Sequence, residues 1–334
     1  MPTTSHPGLQ RRQLVLAAAA LAAPLAAPLA RAANRLADGR AITLVVSYPA
    51  GGGADLMARL IAPHMAAALG QSVVVDNKPG ASGQLAASMV ARAKPDGATL
   101  LLDASSFAVN PSLFTKLPYD TDTAFTPLAV LALYPNVLVC TPGFEAQSVK
   151  DVLRIAKAKP KQLAYASSGN GSAQHLAGAL FEQQAGVEML HVPYRGGGPA
   201  LNDVMAGQVP LFFANVASSL GIIQAGRLRP LAVTSRLRCR ALPEVPTMEE
   251  AGVPRYAVQE WNPVLAPAGL SASTKVVLQA AIRKAMADPE VLGRVRSLGG
   301  DLFPDSSDAA VRAYLKEQRA LWARIVHERR ISLE

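Results

Sequence analysis

Two stretches about 120 residues apart follow one design. Val45-Val46-Ser47-Tyr48-Pro49-Ala50-Gly51-Gly52-Gly53-Ala54-Asp55 passes from a β-branched run through a glycine loop into a helical pattern. Ala164-Tyr165-Ala166-Ser167-Ser168-Gly169-Asn170-Gly171-Ser172-Ala173-Gln174 does the same. A strand-loop-helix unit that recurs at this distance predicts two similar lobes. The length agrees, because 334 residues exceed what one ordinary core accommodates.

The pattern between and beyond these units alternates short β-branched runs with longer amphipathic stretches, which predicts an α/β fold with largely parallel sheets. Strands are expected at 42–47, 72–75, 99–102, 136–140, 163–166, 189–192, 209–213 and 231–234. Helices are expected at 54–69, 81–93, 149–157, 174–184 and 198–205, with long terminal helices at 273–297 and 308–328. Pro63 should kink or break the first helix, and Gly70 should stop it.

The N-terminus reads as an export signal rather than as part of the fold. Arg11 and Arg12 precede an apolar run from Leu14 to Ala30, and Ala30-Arg31-Ala32 offers small residues for cleavage, which gives a signal peptide over 1–32. A membrane anchor is the alternative. A spanning helix needs about 20 apolar residues, however, and this run is shorter and contains Pro24 and Pro28. The arginine pair suits either the general secretory or the twin-arginine route. No cysteine follows the cleavage site, which argues against a lipid anchor. The mature chain is expected to be free in the periplasm.

The formal charge of +9 falls when Arg11, Arg12 and Arg31 are removed. The remaining basic residues are scattered and aromatics make up 5%, which argues against a nucleic-acid groove and favours small anions. Cys140 and Cys239 are the two cysteines; their spacing decides nothing about pairing and matches no zinc site.

A glycine-rich turn between strand and helix exposes backbone N–H groups and directs the positive end of a helix dipole at the sheet edge. Two such turns facing each other would hold both ends of a dicarboxylate. The competing reading is that the glycines merely make tight turns. Ser105 and Ser106 follow the third strand and either line the same crevice or cap a helix. Ser172 suits an N-cap, and His175 lies in the first helical turn, where a packed structural role competes with ligand contact. Asp55 is favourable at a helix start through the dipole alone. His191-Val192-Pro193-Tyr194-Arg195-Gly196 makes a third junction, with Arg195 either a bidentate carboxylate partner or a solvated surface residue. Asn215 ends another strand, a position that could place its amide in the cleft as a ligand contact, and Trp261 either walls a pocket or fills the core.

Enzyme signatures are weak: the chain lacks G-x-S-x-G, G-x-x-x-x-G-K-[ST] and H-E-x-x-H. Ser168 and Ser172 lie near His175 and leave a secreted hydrolase or transferase as the alternative function, although neighbours at one helix start do not make a triad. A sensory partner that presents bound ligand to a receptor is a third reading. No cofactor or metal is called for.

An ordered series of segments resembles the Bug family, the extracytoplasmic receptors of tripartite tricarboxylate transporters. The series comprises Tyr48–Gly52 with Asp55 and Arg59, Leu69–Gly83, Lys94–Gly97, Asn110–Leu113, Tyr165–Leu176, Val192–Gly196, Gly226–Ser235, Leu242–Thr247 and Ala266–Gly269. The resemblance implies a two-lobed, type II-like periplasmic-binding fold, with a ligand cleft between lobes that are each a mainly parallel sheet flanked by helices. One lobe would comprise 33–134 with 259–334 and the other 135–258, the chain crossing near 135 and 258. The resemblance also implies a small carboxylate ligand, docking on membrane transporter subunits, and binding through Tyr48, Pro49, Ala50, Gly51, Gly52, Asp55, Ser105, Ser106, Ser167, Ser168, Gly169, Gly171, Ser172, His175 and Arg195. A monomer is expected. Many members carry Asp before the strand-end Asn, whereas this chain has Ala214 before Asn215. A carboxylate able to hold a ligand amine is therefore absent there, and plain carboxylates should bind better than amino acids.

Overall fold

The computed structural model describes residues 36–328 and residue 331. The signal peptide expected over 1–32 lies outside the described residues. Among those residues, no helix is long and apolar enough to cross a membrane.

The first βα units are β1 (Ile42–Val46), α1 (Gly53–Leu69), β2 (Val73–Asn77), α2 (Gln84–Ala91), β3 (Thr99–Leu102) and α3 (Ser106–Leu113). A long strand, β4 (Phe125–Cys140), leads to α4 (Val149–Ala158). The second set follows as β5 (Ala164–Ser167), α5 (Ala173–Ala185), β6 (Leu190–Pro193), α6 (Gly197–Met205), β7 (Leu211–Asn215), α7 (Val216–Gln224) and β8 (Arg229–Val233). The chain closes with β9 (Gln259–Pro267), α8 (Ala272–Met286), α9 (Pro289–Ser297), β10 (Asp301–Leu302) and α10 (Asp308–Glu328).

Two parallel triplets are joined by antiparallel strands. β1 pairs in parallel with β2 and β3, and β5 does so with β6 and β7. β4 links them: its first part, through Pro135, runs antiparallel to β9, and from Asn136 onward it pairs with β7 and β8. β9 also pairs antiparallel with β3, which gives the order β2-β1-β3-β9-β4-β7-β5-β6. The fold is therefore α/β and two-lobed, with mixed rather than purely parallel pairing. Leu44, Val46, Met57 and Ile61 pack one core, and Phe212, Ala214 and Val233 another. A third core runs from Val45 and Leu101 to Tyr165 and Phe213 and ties the two sides together.

The local chemistry of the chain sets these boundaries. Gly70 ends α1 with φ 63, and Gly186 ends α5 in the same way. Helix α1 passes unbroken through Pro63, contrary to the expected break. The single helix expected over 273–297 is two, because Pro289 takes the first helical position behind the Asp288 cap. The helix expected from 81 begins at Gln84. Ala81 and Ser82 hold positive φ in a tight turn ahead of it. Cys140 and Cys239 are buried free thiols.

Candidate ligand-binding cleft

Four helices begin around one small space. Gly52, Gly53 and Ala54 at the start of α1, Ser172, Ala173 and Gln174 at the start of α5, Gly197 of α6, and Asn215 at the start of α7 all line a niche of about 30 Å³. The first N–H groups of a helix have no partner within the helix, and the dipole places partial positive charge there. Tyr48, Pro49 and Ser168 line both this niche and a larger cavity of about 750 Å³, with Arg195 on the latter's wall. Together they form a cleft of backbone donors that opens into room for the rest of a small molecule.

Chain segments from the two triplets touch across it. The Ser82 hydroxyl donates to the carbonyl of Asn170. A Cβ at Gly196 would lie 2.8 Å from Pro49 Cγ, one at Gly171 2.6 Å from Leu113 Cδ1, and one at Gly53 3.2 Å from the Asn215 amide. The glycines therefore allow the close approach; side chains there would hold the cleft apart.

The residues expected from sequence divide into two sets. Tyr48, Pro49, Gly52, Ser168, Gly169, Ser172, Arg195 and Asn215 line the cleft. Ala50, Gly51, Asp55, Ser105, Ser106, Ser167, Gly171 and His175 do not, and most of them hold the lining loops in place. The Asp55 carboxylate accepts from Gly51 N–H at 2.9 Å and from Arg59 Nε and Asn77 Nδ2 at 3.0 Å, so it is spent on the first glycine loop. Ser167 Oγ lies 2.6 Å from His191 Nε2 and donates to Gly169 O at 3.1 Å. His175 Nδ1 accepts from Gly171 N–H at 3.1 Å, and its ring stacks on His191 with centroids 3.9 Å apart. Ser106 bonds Asp103 Oδ1, and Ser105 is buried with an unpaired hydroxyl. Trp261 fills the core and is fully buried.

These contacts remove the support for a nucleophile. Ser172 Oγ accepts the backbone N–H of His175 as an N-cap, while the imidazole is engaged elsewhere. Burial pushes His175 down to about 4 and His191 to about 3, the second also through its neighbour. A stacked histidine committed to a loop N–H is poorly placed to act as a general base.

Sequence reasoning missed the acids beneath the cleft. Asp103 is fully buried, accepts from Ser47 Oγ at 2.5 Å and from Ala104 N–H at 2.8 Å, and is pushed up to about 7 by burial against those bonds. Burial beside Asp103 also raises the Tyr48 hydroxyl. Glu260 of β9 lines the niche and receives Gln174 Nε2 at 2.7 Å and Asn215 Nδ2 at 3.0 Å. Burial raises its carboxyl, and the two bonds oppose that rise. The side chain of Ala214 packs in the core, whereas Glu260 lines the niche. The turn Gly80-Ala81-Ser82-Gly83, which lines the large cavity, was also missed as a site, although two glycines within six residues of a strand end were a usable signal.

Residues 57–331 match the tripartite tricarboxylate transporter family receptor, TctC. The chain belongs to this family. It is 34% identical over 291 residues to BugT of Bordetella pertussis, covering 86% of this chain and 89% of that one. Among solved structures, Rpa4515 of R. palustris with adipate superposes with a TM-score of 0.84 at 35% identity, covering 88% of this chain and 98% of that one. MatC of Rhodopseudomonas palustris with bound malate gives 0.82 at 30%, covering 86% and 99%. TctC receptors are binding proteins rather than enzymes, and both of these structures hold carboxylates in the same two-lobed fold.

The Asp55 contacts give a first expected result. Burial alone would raise this carboxyl, but bonds from Arg59, Gly51 N–H and Asn77 outweigh it and hold it below the usual range. A group so depressed contributes stability above its unfolded value, near 4, and loses it as pH falls through the folded one. Asp55→Ala should therefore destabilise by about 1–3 kcal/mol at pH 7, and the gap to wild type in urea midpoints should narrow below roughly pH 4. A gap of equal size at pH 7 and pH 3.5 would contradict the assignment.

Proposed function

We propose that this chain is a periplasmic receptor that captures a small carboxylate between two lobes and delivers it to the membrane subunits of a tripartite tricarboxylate-type transporter. The observation that carries this reading is the convergence of four helix starts on one niche. Backbone N–H groups and helix dipoles favour an anion without needing a lysine or a buried arginine. Membership of the receptor family and the carboxylates bound by Rpa4515 and MatC support the same class of ligand. The lobes are assigned as 33–134 with 259–334, and 135–258, with the partner change in β4 and the start of β9 as the two crossings. Ligand that touches both lobes favours the closed arrangement over the open one and so acts by population shift. The working form is a monomer, exported through the cleavable signal at 1–32.

Thermal unfolding of the mature protein against adipate, succinate, malate, citrate and aspartate tests the reading. A bound acid should raise the midpoint with concentration, the gain in stability being about 2.7 kcal/mol at a hundredfold excess over its dissociation constant. No shift with any carboxylate, at concentrations up to tens of millimolar, would overturn the carboxylate reading.

A further inference from the structure

The niche in the cleft is not simply anion-seeking. Its walls are helix starts that offer N–H donors, but its floor carries the carboxylate of Glu260. Both bonds that Glu260 receives, from Gln174 and Asn215, fall on Oε2. The Asn215 side-chain oxygen beside it is buried and has no donor. The niche therefore presents donors on its walls and acceptors on its floor. No lysine or arginine lines it.

A ligand that offers only carboxylate oxygen here sets acceptor against acceptor, beside a carboxyl whose charged form burial already disfavours. A ligand whose carboxylate lies beside a hydrogen-bond donor satisfies both sets of groups at once, with oxygens to the helix starts and the donor to Glu260 and Asn215. The niche of about 30 Å³ has room for little more than the tip of such a head group, and the rest of the molecule extends into the cavity of about 750 Å³.

We propose that Glu260 is the specificity-determining residue of the cleft and selects carboxylic acids that bear an amino or hydroxyl group on the carbon next to the carboxylate. This rests on the receptor reading above and refines it. It also reverses the preference expected from Ala214, because β9 supplies the acceptor that the strand end lacks.

Isothermal titration with succinate, malate and aspartate isolates the point, since the three share one skeleton and differ in carrying hydrogen, hydroxyl or ammonium. Wild type should bind malate or aspartate at least tenfold tighter than succinate, and whichever leads identifies the donor. In Glu260→Gln the amide keeps an oxygen for Gln174 and Asn215 but turns a donor toward the niche. That variant should lose at least tenfold of the preference while binding succinate as well as wild type or better. A wild type that binds all three alike, or a Glu260→Gln protein that keeps the preference, overturns this proposal and leaves the receptor intact. A wild type that binds none of the three nor adipate removes the carboxylate reading and this proposal together. Should Glu260→Gln fail to fold, Asn215→Leu, which removes the neighbouring free acceptor, should reduce the same preference, and an unchanged preference there would contradict the proposal.

Discussion

Gly196→Ala should weaken carboxylate binding by roughly 5- to 150-fold, the equivalent of about 1–3 kcal/mol of overpacking. Gly196 precedes α6 with φ 116, and an added Cβ would meet Pro49 Cγ at 2.8 Å and Cδ at 3.0 Å. The first of these is a backbone cost of about 1–3 kcal/mol that the variant bears whether the lobes are open or closed. On the proposed lobe assignment, the second arises only when the first glycine loop approaches the third junction, so it opposes closure and is read in affinity. Titration calorimetry on folded protein separates the two, because unfolding reports the first and binding the second. Gly198→Ala serves as the control, since its Cβ would meet nothing within 4 Å; binding should be unchanged. Pro49→Ala added to Gly196→Ala removes both clashing carbons and should restore part of the affinity, a coupling expected of residues in contact. A Gly196→Ala protein that binds like wild type would mean that these loops do not meet in the bound form.

Acid should loosen the serine-glycine loop through the stacked histidines. The unfolded value is near 6.5, whereas burial holds His175 at about 4 and His191 at about 3 in the fold. The unfolded chain therefore binds more protons across this window, and stability rises with pH there. What the pair contributes is complete above roughly pH 6.5 and is lost as pH falls toward 4. Each histidine costs about 1.4 kcal/mol per pH unit in that range at most, and the partial exposure of His191 reduces its share. Asp103 and Glu260, raised by burial, act in the opposite direction, so the wild-type curve alone does not isolate the pair. The informative quantity is the difference in slope between wild type and a His175→Leu, His191→Leu double variant. Between pH 6.5 and 4.5 the variant should lose about 2–5 kcal/mol less than wild type, whatever its starting stability. Parallel curves would contradict the account. Direct titration of the imidazoles by NMR checks it independently, with neither ring expected to protonate above pH 5.

Much of this architecture was legible in the chain because it is written locally. Strand β3 and the βα units around both glycine loops follow from β-branched runs, caps and glycine stops, which need no tertiary knowledge. The first part of β4 was missed because Pro127 and Pro135 interrupt it and because burial on both faces leaves no alternation to read. Helix α7 was missed because Asn215 both ends β7 and stands immediately before the helix, leaving no loop between them. The cleft was half legible. Glycine loops at helix starts announce an anion cradle, yet nothing local separates a side chain that faces ligand from one that holds the loop. Asp55 and His175 stand at helix starts where ligand contact and a structural role compete, and in the structure their side chains accept from the N–H groups of Gly51 and Gly171. Glu260 was invisible because its partners Asn215 and Gln174 are 45 and 86 residues away and meet it only through the sheet order.

The most direct test is amide chemical-shift mapping of the labelled mature protein with the tightest-binding acid of the panel. The amides of Gly53, Ala54, Ala173, Gln174 and Gly197 should move most, because their N–H groups are the expected carboxylate partners. Those amides standing still while shifts gather elsewhere, for example around Arg236 to Arg240, would contradict the account at its centre.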